Sequence, residues 1–285
     1  MAQTFLGIDI GGTSIKAALR VDGRWVTFGQ SEFYARPDAD QLRRAICQAA
    51  GPLSDAAAIG LCVPGLMNAE RNRVTLAVNV PGLVDLPLAQ LVPGALGWNG
   101  TRPIAIANDA AAAAQDIYAT RRLTDRLLLL TLGTGVGSVV LDDGGKLLDV
   151  EGGTCGHLGQ IDVSIPGYDA VGPDGGAGGL EGYIGVAALR RMYGSDVSKA
   201  IADFSGTEPA MLALVRTLRI AHAIYRPLHI CLCGGVGIRL KRLLPTLKQL
   251  IDRDLTSVAR PDYTFTCGDD DFHAARGAAT MAAQA

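Results

Sequence analysis

The chain has 285 residues, 48% of them hydrophobic and 19% charged, with a formal net charge of −2. That length favours two lobes of roughly 100–150 residues over one continuous core. The composition excludes disorder, since enough apolar surface can be buried to offset chain entropy, and the lack of a basic excess argues against nucleic acid or an anionic membrane as partner. The longest nearly unbroken apolar run, Leu127 to Leu132, is interrupted by Thr131 and falls far short of the ~20 residues of a bilayer span. Met1 to Leu6 has no basic segment leading into a long apolar one, so no signal peptide is expected and a cytoplasmic location is. Six cysteines are scattered along the chain. Cys231 and Cys233 stand at C-x-C spacing without further His or Cys, which reads as small core residues and not as a metal site.

The thirty-six glycines cluster, and the clusters punctuate the predicted elements. Phe5–Ile10 reads as a strand entering Gly11-Gly12-Thr13, and Ile15–Leu19 as a second strand leaving toward an Asp22-Gly23 turn. Ala39–Ala50 has helical spacing. Ala58–Val63 is a strand running into Pro64-Gly65, and Ile104–Ala107 is a strand before Asn108-Asp109 and an alanine-rich helix, Ala110–Ala119. The opening order then recurs: strand Leu127–Leu132, glycine turn Gly133 to Gly137, strand Ser138–Leu141, turn Asp143-Gly144. Asp9 overlays Thr131 and Leu19 overlays Leu141 at one offset, 122 (131 − 9 and 141 − 19), which points to a duplicated α/β lobe. A glycine-rich region from Gly152 to Gly185 follows, with helices Val186–Tyr193 and Pro209–Tyr225. Strand Leu228–Cys233, a Gly234-Gly235 turn, helix Leu240–Asp254, strand Tyr263–Cys267 and helix Ala274–Ala283 complete the chain. The lobe boundary is expected within 107–120, giving lobes 1–110 and 111–270, with a last helix at about 271–285 packing back on the first lobe.

A glycine tip lets backbone N–H groups approach phosphate oxygens, because no Cβ intervenes. Taken singly, Asp9-x-Gly11-Gly12-Thr13 reads more readily as a plain tight turn than as a nucleotide site. Two such tips in repeated lobes, with a third Gly-Gly after Leu228–Cys233, fit a polyphosphate held between them, and Asp9 could order the water shell of a phosphate-bound Mg²⁺. Neither a G-x-x-x-x-G-K-[ST] loop nor a G-x-G-x-x-G opening a helix after the first strand is present. Asp109 either caps the helix that follows it or stands as a carboxylate able to accept a hydroxyl proton.

Asp9-x-Gly11-Gly12-Thr13-x-x-Lys16, Pro64-Gly65, Asn79-x-Pro81-Gly82, Asn108-Asp109, Leu132-Gly133-Thr134-Gly135-x-Gly137, Gly156-x-x-Gly159, Leu180-Glu181-x-Tyr183, Gly234-Gly235 and Gly268-Asp269 occur in the order of the ROK (repressor, open reading frame, kinase) family. The resemblance spans about residues 5 to 281. It implies an actin-like, ribonuclease-H-like α/β fold of two duplicated lobes, with ATP and Mg²⁺ in an interlobe cleft and a hexose beside the γ-phosphate. It further implies Asp109 as general base, and sugar contacts from Gly65, Asn79, Asn108, His157, Gln160 and Glu181. The nucleotide would be held by Asp9, Gly11, Gly12, Thr13 and Lys16, by Gly133, Thr134, Gly135 and Gly137, and by Gly234 and Gly235 near the adenosine.

Two departures bear on this expectation. His157-Leu158-Gly159-Gln160 stands where kinases of the family carry Glu-x-Gly-His. Gly172, Asp174 and Gly179 stand where most carry the cysteines of C-x-C-G-x-x-G-C-x-E, so only Glu181 is kept and no structural zinc is expected. The resemblance therefore implies an ATP-dependent kinase acting on a sugar, at O6 by analogy, with room for a homodimer. The alternative is a sugar sensor that has drifted from catalysis. A DNA-binding repressor is disfavoured because Phe5 already begins the first strand, leaving no helix-turn-helix before it.

Overall fold

The computed structural model describes residues 3–51, 56–98, 102–150, 154–256, 258–259 and 262–284; the first two glycine-region residues, Gly152 and Gly153, lie outside them. In chain order the elements are β1 (Thr4–Ile10), β2 (Ile15–Val21), β3 (Arg24–Gln30), α1 (Ala39–Ala50), β4 (Ala58–Val63), β5 (Leu66–Met67), β6 (Val74–Leu76), α2 (Leu88–Leu96), β7 (Ile104–Asn108) and α3 (Asp109–Thr120). There follow β8 (Leu127–Leu132), β9 (Val136–Leu141), α4 (Leu180–Ile184), α5 (Val186–Tyr193), α6 (Val197–Asp203), α7 (Pro209–Tyr225), β10 (His229–Cys233), α8 (Gly234–Gly237), α9 (Leu244–Arg253), β11 (Thr264–Cys267) and α10 (His273–Ala282). The chain divides into two compact units, Met1–Arg121 with Asp149–Gly153 and Phe272–Ala285, and Arg122–Leu148 with Thr154–Asp271.

In the first unit the sheet runs β3-β2-β1-β4-β7, antiparallel on the hairpin side and parallel from β1 to β7. The β2–β3 hairpin closes through Asp22 and Gly23, both left-handed with φ of 46° and 79°, as a two-residue Asp-Gly turn requires. Helix α1 starts at Ala39 because Asp38 and Gln41 form a capping box: Asp38 Oδ1 accepts from Gln41 N at 2.7 Å, and Gln41 Oε1 accepts from Asp38 N at 2.9 Å. Its buried face, including Leu42 and Ile46, packs with Leu6, Ile8 and Ile10 of β1 in one apolar core.

The opposite residues of β1 and β4 are small. Gly7 pairs with Gly60 and Asp9 with Cys62, and alternate residues share a face of the sheet. Helix α10 lies on that face so closely that a Cβ at Gly7 would stand 1.8 Å from Ala275 O, and one at Gly60 would stand 1.8 Å from Ala278 O. On its other side α10 meets α3, where a Cβ at Gly277 would be 1.9 Å from Ala112 O. The same helix pair buries a polar network: Asp116 Oδ2 is 2.6 Å from His273 Nδ1 and accepts from Arg276 Nε at 3.0 Å. Because α3 packs on α10, the boundary between units falls after α3, at Arg121, and not at 110.

The second unit repeats the core topology in the order β11-β10-β8-β9, with β8–β9 antiparallel and β8–β10–β11 parallel. The repeat is not at one offset. Asp9 pairs with Lys16 across a four-residue turn, whereas Thr131 pairs with Gly137 across a three-residue turn. Leu19, the partner of Leu6, therefore corresponds to Val140 and not to Leu141. The expected single helix 240–254 is split: a 3₁₀ segment, Ile238–Leu243, precedes α9, which restarts with Pro245 in its first turn, where a missing N–H is harmless. Gly234-Gly235 opens the short helix α8 instead of forming a free turn. Among the described residues, no helix is long and apolar enough to cross a membrane.

The glycine contacts give a stability prediction. Gly60→Ala should lower the unfolding free energy by at least ~2–3 kcal/mol, because the backbone of α10 must move to admit the methyl. Gly94→Ala, on the exposed face of α2 with nothing within 4 Å, should be neutral or stabilising by up to ~1 kcal/mol. Urea midpoints of the two variants at equal m-value check both; equal effects would contradict the packing described.

Candidate active site

In the first unit, β1 delivers Asp9 to its C-terminal end, where the residue is 7% exposed and Lys16 is its cross-strand partner. The turn between β1 and β2 is fastened by its carbonyls. Gly11 N donates to Ser14 O at 3.0 Å, the Tyr34 hydroxyl donates to Gly11 O at 2.6 Å, and Tyr34 N donates to Thr13 O at 2.9 Å. Ser31 closes the base of the turn, its N donating to Ile15 O and its Oγ accepting from Ile15 N, each at 2.9 Å. The N–H groups of Gly12 and Thr13 meet no acceptor among the described residues. A turn whose carbonyls are drawn back and whose amides are left over has the polarity of an anion cradle.

At the end of β7 the two readings of Asp109 separate. Asn108 is the N-cap of α3: its Oδ1 accepts from Ala110 N at 3.0 Å, and its Nδ2 donates to Gly65 O at 3.4 Å. Asp109 is the first helical residue, one oxygen accepting from Ala110 N at 2.7 Å. Burial, and then the charge of Asp9, push the Asp109 carboxyl up to about 7, and the Ala110 amide opposes them only in part. A carboxyl poised there is matched to proton acceptance near neutrality. Cys62 lies beneath the pair, fully buried, its Sγ donating to Ala274 O at 3.2 Å. Burial and the two aspartates hold its thiol protonated. Gly65 has φ of 88°, and a Cβ there would be 2.0 Å from Leu76 O, so glycine is needed for the turn that presents its carbonyl to Asn108. Asn79 is half-buried in the turn before the 3₁₀ segment Pro81–Leu83.

In the second unit the β8–β9 turn has the same polarity from different partners. Gly133 N donates to Gly135 O and Val186 N donates to Gly133 O, both at 3.0 Å, while Thr134 N and Gly135 N meet no acceptor among the described residues. Glu181, in the first turn of α4, accepts from Val136 N at 3.0 Å. Its carboxylate lies so near Gly135 that a Cβ there would be 3.2 Å from both oxygens. Burial raises the Glu181 carboxyl, with the Val136 amide opposing. Gly137 pairs with Thr131 on the strand.

Gly234 has φ of 77°, and its Cβ would be 2.5 Å from Leu132 O, so only glycine lets the chain pass that strand end. The Gly235 carbonyl accepts from Arg239. Arg239 also lines a cavity of about 480 Å³ with Ser198, Ile201, Ala202, Lys241 and Arg242, and Arg242 donates to the carbonyls of Ile201, Ala202 and Phe204 at the end of α6.

His157 and Gln160 are both exposed, flanking the 3₁₀ segment Leu158–Gln160, with Gln160 N donating to His157 O at 2.9 Å. Ser138 ties this segment to β9, its Oγ donating to Gly156 O at 2.8 Å and accepting from Leu158 N at 3.3 Å. The Gln160 Oε1 lies against Gly176, within the loop expected to have lost its metal ligands. That loop closes on its own backbone: Gly172 N donates to Gly176 O at 2.8 Å, Gly175 N to Gly172 O at 3.0 Å and Gly178 N to Ala170 O at 2.8 Å. Among the described residues, no three His, Cys, Asp or Glu side chains are grouped as a metal set.

The structure thus joins Asp9, Lys16, Asn108, Asp109 and Gly65 in one unit, and Gly133–Gly137 with Glu181 in the other. Sequence reasoning missed Tyr34 and the cavity residues. Tyr34 binds the turn across 23 positions, and no local pattern marks such a contact.

The family model of the ROK family matches residues 5–285. N-acetylmannosamine kinase from Salmonella typhimurium (strain LT2) is 34% identical over 164 residues, 55% of this chain and 54% of that protein, so the chain matches about half the length of such curated relatives. Among solved structures, a ROK family glucokinase from Streptomyces griseus, in complex with glucose and AMPPNP, matches with a TM-score of 0.76 at 24% identity, over 99% of this chain and 100% of that one. A putative N-acetylmannosamine kinase from Listeria monocytogenes matches with a TM-score of 0.76 at 21% identity, over 100% and 99%. A ROK family transcriptional regulator, a homologue of the E. coli MLC protein, matches with a TM-score of 0.74 at 21% identity, over 99% and 78%. The duplicated sheets carry the actin-like fold of these structures, and by the family match across nearly its whole length the chain belongs to the ROK family.

Proposed function

We propose that the chain is an ATP-dependent sugar kinase in which Asp109 accepts the proton of the sugar hydroxyl, at O6, as the γ-phosphoryl group is transferred. One observation carries this reading: Asn108 caps α3, and the adjacent Asp109 carboxyl, raised to about 7 by burial and Asp9, is suited to general-base action. The amide-presenting turns at Gly11–Thr13 and Gly133–Gly135 serve the donor phosphates. The cavity beside Gly235 serves the base, whose flat apolar ring suits the stems of Arg239 and Arg242. Asn79, Asn108, Glu181, His157 and Gln160 are assigned to the sugar.

The Asp9 carboxylate at the C-terminal end of β1 is a hard, anionic oxygen donor of the kind that suits Mg²⁺. Asp9 would hold the ion through its water shell, and the bound ion would neutralise charge on the phosphate oxygens. The chain's own contribution is to orient the hydroxyl with Asn108 and to take its proton at an Asp109 oxygen. Structural zinc has no place in this reading, since Gly172, Asp174 and Gly179 stand where the family's thiolate ligands would be; elemental analysis should find none, and one zinc per chain would refute that part.

For the acceptor we favour a hexose altered at C2 or C3 over glucose. A carboxylate accepts from two adjacent hydroxyls, whereas His157 and Gln160 each offer a donor and an acceptor, and relatives named N-acetylmannosamine kinase act on a C2-altered sugar. An unpaired buried hydroxyl costs ~1–3 kcal/mol, so glucose should be less efficient by roughly one to two decades. A coupled ATP-consumption screen over hexoses and N-acetylhexosamines tests both statements. Binding without turnover on any sugar would favour the sensor reading, which the exposed, altered His157 and Gln160 would then explain.

Asp109→Asn should lower turnover by roughly 10²–10⁴-fold with sugar affinity largely kept, and the wild-type rate should fall below a pH of about 7 as Asp109 takes up a proton. Near-normal turnover of the variant would reduce Asp109 to a structural role. Stability should move the other way. A folded-state carboxyl raised above its ordinary 3.8 binds its proton more tightly than the unfolded chain does, so stability is lost as pH rises from about 4 to about 7. The variant escapes that loss and should be more stable than wild type at pH 8, on the order of 1–3 kcal/mol, with the gap closing toward pH 4. Urea titrations at both pH values check the sign.

A further inference from the structure

We propose that Tyr34 is a positioning residue for the donor phosphates, holding the first glycine turn in the orientation that presents its amides. The inference deepens the kinase reading and rests on its assignment of that turn to phosphate. An anion cradle fails if its peptide planes turn over, because each flip replaces an N–H with a carbonyl oxygen. In the Gly11–Ser14 turn, two of the carbonyls that could turn toward an anion, those of Gly11 and Thr13, are both bonded to one residue. The Tyr34 hydroxyl donates to Gly11 O at 2.6 Å and the Tyr34 main chain donates to Thr13 O at 2.9 Å. Ser14 O accepts from Gly11 N at 3.0 Å, so three of the turn's four carbonyls are held, and that of Gly12 meets no donor among the described residues.

The clamp is built to persist. Tyr34 packs against the apolar core of the first unit. Burial, with the Asp9 carboxylate nearby, holds its phenol protonated far above neutrality, so the hydroxyl remains a donor at any working pH. In the second unit the equivalent turn is held without a tyrosine, by Val186 N on Gly133 O and by Glu181 on Val136 N. The same polarity is thus secured twice by unrelated residues, as expected if carbonyl retraction is itself the functional requirement.

The test compares wild type with Tyr34→Phe, which keeps the ring and the main-chain bond and removes only the hydroxyl. Dissociation constants are measured for Mg²⁺·ADP and for adenosine, together with KM for ATP and for the sugar turned over by wild type. Loss of one such hydrogen bond should weaken ADP binding and raise the ATP KM by roughly five- to tenfold. Adenosine affinity and sugar KM should stay within about twofold, and the acid limb set by Asp109 should not move. ADP affinity unchanged in the variant, or ADP and adenosine weakened alike, would overturn the proposal, the second result showing a general structural role. Wild type that binds ADP but phosphorylates no hexose would defeat the kinase reading and leave the ADP-to-adenosine comparison to decide Tyr34. Wild type that binds no nucleotide would overturn both.

Discussion

The last helix of the chain lies on the first sheet at a separation that only glycine permits. Ala275 and Ala278 of α10 place their carbonyl oxygens where the Cβ atoms of Gly7 and Gly60 would otherwise be. Alternation along the strands then puts Asp9 and Cys62 one step further along the same face. There Cys62 donates to Ala274 O, and α3, locked to α10 through Gly277 and the Asp116–His273–Arg276 network, begins at Asp109. Residues 9, 62 and 109 are thereby fixed by one packing contact that runs from the start of the chain to its end. The burial that raises Asp109 follows from that contact.

The second organising feature is polarity. A glycine-rich turn is permissive and does not by itself point amides in any direction. In each unit the direction is set by hydrogen bonds that draw carbonyls away, from Tyr34 onto Gly11 O and Thr13 O in the first and from Val186 N onto Gly133 O in the second, where Glu181 braces the turn by accepting from Val136 N. Glu181 therefore has two claims on it: the turn it braces, and the sugar assigned to it by likeness to the family.

Much of this was legible in the sequence because it depends on local chemistry. The strands ending in glycine turns, the helix Ala39–Ala50, the Asp-Gly hairpin and the paired Asn108-Asp109 are each decided within a few residues. What was not legible depends on long separations or on single-residue counts. Nothing near Tyr34 announces a bond to Gly11. The offset between the repeats slips by one because one turn has four residues and the other three. The α3–α10 contact that moves the unit boundary past residue 110 joins segments more than 150 positions apart. Asn108, read as a sugar contact, is also the N-cap of α3, which leaves Asp109 as the first helical residue.

The central claim is that burial and Asp9 together hold the Asp109 carboxyl near neutrality in the protein before any substrate binds. Carbon-13 NMR titration of the Asp109 side-chain carboxyl, in wild type and in Asp9→Asn, tests it directly. The account predicts a midpoint of about 7 in wild type and a lower one when the Asp9 charge is removed. A wild-type midpoint near 4, unmoved by that substitution, would contradict it.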